Sequence, residues 1–251
     1  MSAVPKARST TPLAPAVSRL DGRPSGCAAC AVRSLTICST LSSTALSDLD
    51  RLSGSVTLEP GQTLFDEGEP ADHVFNVTGG CLKLYKLLQD GRRQVTGFLF
   101  SGDFLGLASR TNYAYSAEAL DKATLCRFQR NQLNLFLGRH PELEHELLDR
   151  ASHELAEAQE QMLLLGRKSA RERLASFLLL LSRRAAMRGA AEEPVLLPMG
   201  RNDIADYLGL TTETVSRTFT RLRKDGLVRL LSGGAVALCD RKSLTKVAES
   251  S

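Results

Sequence analysis

The chain has 251 residues, 43% of them hydrophobic and 24% charged, with a formal net charge of +4. That length suits one to two domains with a real core. No apolar run approaches the roughly 18 residues of a membrane span; the longest, "FLLLLS" at 177–182, lies in a helical pattern with arginines on either side. The net charge names no partner, yet nine Lys/Arg against five Asp/Glu fall within 201–246, so the C-terminal end is the basic one.

Residues 1–25 are rich in Pro, Ala and Ser and lack the continuous apolar stretch of a secretory signal. They read as the disordered tail of a cytoplasmic protein. The next segment, "GCAACAVRSLTICST" (26–40), sets Cys27, Cys30 and Cys38 in a C-x2-C-x7-C pattern on what otherwise resembles a flexible arm. A reducing compartment disfavours disulfides and makes clustered thiols metal or redox sites.

Residues 41–138 begin with a short helix at 46–54 and continue as brief apolar runs broken by Gly and Asp. Asp90-Gly91 is a hairpin signal. This pattern predicts an all-β barrel, sandwich or roll. In 139–166 the period switches to three and four: Leu147, Ala151, Leu155, Ala158, Met162 and Leu165 form one narrow stripe. Such a stripe can pack on its own domain, but its narrowness on a polar helix predicts a homodimer seam. Glu142, Glu144, Glu146, Asp149, Glu154, Glu157 and Glu160 flank it against Arg150 alone, so paired helices would repel and their association would be marginal. Gly166 is expected to end or bend the helix.

Residues 167–251 carry two helical patterns, 168–188 and 201–226, then apolar runs around Ser232-Gly233-Gly234 that predict a hairpin, giving a winged helix-turn-helix. Ile204, Ala205 and Leu208 face inward ahead of Gly209, whose freedom suits the turn. Thr211 or Thr212 can cap the next helix, in which Val215, Phe219 and Leu222 face the core. The other face offers Glu213, Ser216, Arg217, Thr220 and Arg221, with Thr212 at its start, residue types suited to reading double-stranded DNA in the major groove.

With its Glu-x-x-Ser-Arg core, "YLGLTTETVSRTFTRLRKDGLV" closely resembles the recognition element of the CRP/FNR transcription regulators, in particular the FNR branch. The resemblance covers nearly the whole chain and implies an α+β fold: an N-terminal β-roll sensor domain of the cyclic-nucleotide-binding kind, a long dimerisation helix and a C-terminal winged helix-turn-helix. It implies that Glu213, Ser216 and Arg217 read inverted repeats with TTGA-like half-sites, and that exposed β-domain loops such as that at Asp90 and Gly91 meet RNA polymerase.

Nucleotide-binding members hold the cyclic phosphate with an arginine. Here Asp103 stands near the usual glutamate position, and Tyr115 precedes Ser116 where that arginine is expected; Arg110 could replace it only if the loop folded differently. The thiols are the better lead. Oxygen-sensing relatives supply a fourth ligand just before the long helix, where this chain has Cys126, and the x7 interval resembles the rhizobial FnrN-type variant. The resemblance therefore implies a [4Fe-4S] cluster on Cys27, Cys30, Cys38 and Cys126, whose loss to oxygen would weaken the dimer. Four cysteines would also satisfy structural zinc. Cys81 and Cys239 lie in strand-like apolar runs and are expected to be inert, buried residues. An iron–sulfur redox enzyme is the reading from another class, but His73, His140, His145 and His153 are scattered and no nucleophile or phosphate-loop grouping appears, so the chain is read as no enzyme.

Overall fold

The computed structural model describes residues 26–106 and 111–250. The expected tail at 1–25 and Arg110 lie outside them. The cysteine arm forms three short 3-10 turns, Cys27–Ala29, Arg33–Leu35 and Ile37–Thr40, followed by helix α1 (Ser43–Leu52), capped by the Ser42 hydroxyl accepting from Ala45 N–H. It is not a free arm. Ile37 and Leu41 are buried against Leu46 and Leu49 of α1, so the segment has an apolar anchor of its own.

Eight antiparallel strands follow: β1 (Ser53–Leu58), β2 (Thr63–Phe65), β3 (His73–Gly79), β4 (Cys81–Leu87), β5 (Arg93–Phe100), β6 (Phe104–Leu105), β7 (Ser116–Ala119) and β8 (Ala123–Gln129). They make two four-stranded sheets, ordered β1-β8-β3-β6 and β2-β7-β4-β5, with Leu58, Val77, Leu82, Ala117 and Leu125 in the core between them. The β4–β5 connection turns at Asp90-Gly91 as expected, with Gly91 at φ +82°.

Helix α2 (Arg130–Leu137) leads into α3 (Pro141–Arg167), 27 residues long and ending one residue beyond Gly166. Then come α4 (Ala170–Met187), β9 (Val195–Leu196), α5 (Arg201–Leu208), α6 (Thr212–Lys224), β10 (Val228–Leu230), β11 (Ala235–Leu238) and α7 (Arg241–Glu249). A Ser169/Glu172 capping box starts α4. The predicted hairpin is β10–β11, but β9 adds a third strand to this wing, and α7 was not expected.

The outer face of β4–β5 packs on this C-terminal unit. Cys81, Tyr85, Val95 and Phe98 share one core with Leu174, Phe177, Leu178 and Tyr207. Charges surround it: Lys83, 4% exposed, lies 2.9 Å from Glu118 and 3.0 Å from Asp203, while Arg93 reaches Asp203 at 3.1 Å and Asp206 at 2.9 Å.

No helix among the described residues is long and apolar enough to cross a membrane.

Candidate functional site

Cys126 sits mid-strand in β8, paired with Ser55 of β1 on one side and Asn76 of β3 on the other. The arm folds back over this point because Ile37, Cys38 and Leu41 share a core with Phe128 of β8 and Leu143 and Leu147 of α3. The result is one small cavity lined by all four predicted thiols, Cys27, Cys30, Cys38 and Cys126, together with Arg33, Thr36, Asn76, Thr78 and Phe128. No carboxylate lines it. Among the described residues, no three His, Cys, Asp or Glu side chains form a compact single-ion group.

Burial pushes the Cys27 thiol up to about 12, and a hydrogen bond to Asp50 adds to the rise. Burial also raises Cys38, against the lowering effects of a Thr36 hydrogen bond and the nearby charges of Arg33 and Arg150. Thiols held protonated in this way are poor free nucleophiles, and they lose their protons when a metal or cluster takes the sulfur. Asn76 is a residue that sequence reasoning missed. It is 1% exposed, its Nδ2 lies 3.8 Å from Cys38 Sγ, and its Oδ1 has no hydrogen-bond partner among the described residues. A polar residue in a strand otherwise rich in Val and Phe was the available signal.

Of the remaining cysteines, Cys81 is buried as expected, at 1% exposure. Cys239 is exposed, contrary to expectation: β11 ends at Leu238, and the chain turns outward there to start α7.

The long helix divides its stripe. Ala151, Leu155, Ala158 and Met162 are exposed, Leu155 at 61% and Met162 at 71%. Leu147 is instead buried with the arm, and Leu165 packs against the C-terminal core. At the N-terminal end the outward residue is Leu148, 63% exposed, so the open stripe runs 148, 151, 155, 158, 162 in alternating steps of three and four. Of these adjacent leucines, Leu147 packs against the arm while Leu148 points outward.

In the C-terminal unit the turn between α5 and α6 is closed by Gly209 at φ +61°, and Thr211 caps α6 by accepting from Thr214 N–H at 3.1 Å. Val215, Phe219 and Leu222 are buried while Thr212, Glu213, Ser216, Arg217, Thr220 and Arg221 are exposed, as predicted. Glu213 and Arg217 sit 3.4 Å apart on adjacent turns, and Thr212 Oγ1 donates to Asn202 Oδ1 at 2.8 Å. Arg173, which no motif flagged, donates to the carbonyls of Leu165, Lys168 and Leu208 at 2.8, 2.9 and 2.7 Å, joining the ends of α3 and α5.

Asp103, the acid that stands near the nucleotide cassette's usual glutamate position, is already engaged. Asp103 Oδ2 accepts from Phe100 N–H at 2.8 Å and from Arg184 of α4 at 2.7 Å.

Comparison with known proteins agrees with both halves of this architecture. Residues 55–140 match the model of the cyclic nucleotide-binding domain and residues 172–247 that of the Crp-like helix-turn-helix domain. The transcriptional activatory protein AadR of Rhodopseudomonas palustris is 45% identical over 83% of this chain and 87% of its own length. The nitrogen fixation regulation protein FixK of Bradyrhizobium diazoefficiens is 40% identical over 90% of this chain and 95% of its own. The structure of FixK2 from Bradyrhizobium japonicum superposes with a TM-score of 0.74 at 36% identity, covering 79% of this chain and 98% of that one. The two matched domains, joined by a long helix and carrying an exposed recognition face on α6, make this chain a member of the CRP/FNR family of DNA-binding transcription regulators.

Proposed function

We propose that this regulator is oxygen-responsive, with Cys27, Cys30, Cys38 and Cys126 holding a [4Fe-4S] cluster that favours a DNA-binding homodimer under low oxygen. The observation that carries the reading is that all four thiols, from segments about 90 residues apart in sequence, line one cavity free of carboxylates. The donor set fits: Cys27 and Cys38 are buried and Cys30 and Cys126 half-buried, Arg33 brings a cation to the same cavity, and the Asn76 amide offers a further donor. Such a cluster supplies an oxygen-labile centre whose presence deprotonates its ligands and whose loss returns four free thiols.

The chain's own residues do the rest. The arm rests directly on α3 through Ile37, Cys38 and Leu147, so its order bears on the helix carrying Leu148, Ala151, Leu155, Ala158 and Met162. Pairing of that stripe with a second copy sets two α6 helices for successive major grooves of an inverted repeat with TTGA-like half-sites. There Arg217 donates to guanine, Glu213 accepts from cytosine, and Ser216, with Thr212, Thr220 and Arg221 beside it, completes the contact face. Activation through RNA polymerase is assigned to the β4–β5 tip at Asp90 and Gly91, where Leu87 is 62% exposed. A cytoplasmic setting is part of this reading. Cyclic nucleotide control is disfavoured because Asp103 is already engaged by Arg184.

Anoxic purification, iron and acid-labile sulfide assay, and operator binding before and after aeration test the proposal. Serine at position 27, 30, 38 or 126 should abolish anaerobic DNA binding, whereas Cys81→Ser and Cys239→Ser should not. A colourless zinc protein that binds its operator equally in air would overturn the sensor reading.

A further inference from the structure

Arg150 is the lone cation in the acidic stretch of α3 from 142 to 160, and the sequence gives it no more than a charge-balancing part. Its surroundings give it another. The guanidinium is held in place on its own helix by Glu146, with Nε 2.7 Å from Oε1. Its two outer nitrogens then leave the helix in different directions: Nη2 donates to the Leu35 carbonyl at 2.9 Å and Nη1 to the Gly102 carbonyl at 3.0 Å.

One carbonyl belongs to the arm that lines the thiol cavity, the other to a turn braced on β3, which also lines it: Gly102 N–H donates to the Val77 carbonyl at 2.9 Å, between Asn76 and Thr78. Leu35 lies in the seven-residue interval between Cys30 and Cys38. Gly102 lies in the turn between β5 and β6, at φ +100°, and the arm presses on it so closely that an added Cβ would stand 2.8 Å from Leu35 Cβ. Arm, β-domain turn and α3 therefore converge on one side chain, directly next to Ala151 of the exposed stripe. The neighbouring Asp103 continues the contact to Arg184 of α4.

We propose that Arg150 is the positioning residue that couples the cysteine arm to the dimer helix, by holding the Leu35 and Gly102 carbonyls with one planar fork. An arm released from the β-domain takes the Leu35 carbonyl away, leaving the guanidinium joined to one carbonyl and to Glu146, and the stripe beside it loses its fixed bearing. The planar geometry matters as well as the charge, because a lysine ammonium is a single point on a flexible stem and does not hold two carbonyls in fixed directions. The coupling to dimerisation rests on the cluster reading above; the clamp itself does not.

The test uses the full-length wild type, Arg150→Met and Arg150→Lys. Circular dichroism first establishes that the variants fold. In amide hydrogen exchange, both substitutions should speed exchange in residues 33–40 and in the first three turns of α3 by about tenfold, with the strands unchanged. Unchanged arm exchange, or full protection in Arg150→Lys, overturns the clamp. In sedimentation equilibrium, anoxic and aerated wild type should differ in dimer constant by about tenfold, about 1.4 kcal/mol. Arg150→Met should keep wild-type iron and sulfide content yet show nearly the same dimer constant in both states; a wild-type difference in that variant overturns the coupling. Wild type without iron and sulfide would remove the cluster reading, and the exchange measurement would then decide the clamp alone.

Discussion

The charged contact between β4–β5 and α5 gives the sharpest test of how the two domains hold together. Asp203→Asn keeps the shape of the side chain and removes its charge. In the wild type, Oδ1 accepts from Lys83 at 3.0 Å and Arg93 at 3.1 Å, while Oδ2 accepts from Gly200 N–H at 3.3 Å to cap α5. The side chains of Asp203 and Lys83 are only 13% and 5% exposed. Breaking a buried ion pair typically costs about 3–5 kcal/mol. Each cation here keeps a second carboxylate, Glu118 for Lys83 and Asp206 for Arg93, both at 2.9 Å, so the expected cost falls to about 1.5–3 kcal/mol. Urea unfolding followed by far-UV circular dichroism measures it, since the chain has no tryptophan to report by fluorescence. The decisive quantity is the coupling with Lys83→Met: a double-mutant cycle should return about 1 kcal/mol or more. Additivity within about 0.3 kcal/mol would mean that the two side chains do not sense each other, and the account of this interface would fail.

Other expectations follow from single positions. Arg217→Ala should weaken operator binding by about 1–3 kcal/mol and relax discrimination at one base pair in a mobility-shift series; an equal loss on every sequence would make Arg217 a phosphate contact. Leu155→Asp, placed on the exposed stripe, should lower the dimer association constant by more than about tenfold in sedimentation while leaving the monomer's urea midpoint unchanged. A fall in that midpoint would instead assign Leu155 to the chain's own core. Gly209→Ala forces a Cβ at φ +61° to within 3.3 Å of Leu165. It should cost about 1–2 kcal/mol in urea unfolding and disturb the α5–α6 turn.

The DNA-reading unit was legible because its signals are local and agree: an inward stripe, a turn glycine, a capping threonine and an exposed face within about 20 residues. The thiol set was legible only through resemblance for Cys126, since nothing in the sequence brings position 126 next to position 27. The anchoring of the arm was hidden for a different reason. Ile37 and Leu41 bury themselves from short 3-10 turns, where too few residues repeat for a period to emerge. Periodicity also could not choose between Leu147 and Leu148, which are about 100° apart around one helix and differ in burial, at 6% and 63% exposure. The Lys83–Asp203 contact spans 120 residues, and neither residue type announces a partner at that distance. Cys239 misled because it extends the apolar run of Ala237 and Leu238 by one residue, whereas β11 ends at Leu238.

Arg173 ties the last carbonyls of α3 to the end of α5 with one guanidinium, and this decides how far a movement of the long helix can travel. Had the joint been a loose swivel, a rotation of the long helix would dissipate there. Braced as it is, the 27-residue helix behaves as a lever arm of about 40 Å, and a tilt of about 5° carries its far end about 3.5 Å. That displacement is close to the rise of one base-pair step, about 3.4 Å: a change too slight to repack either domain can move the reading head out of register with its operator.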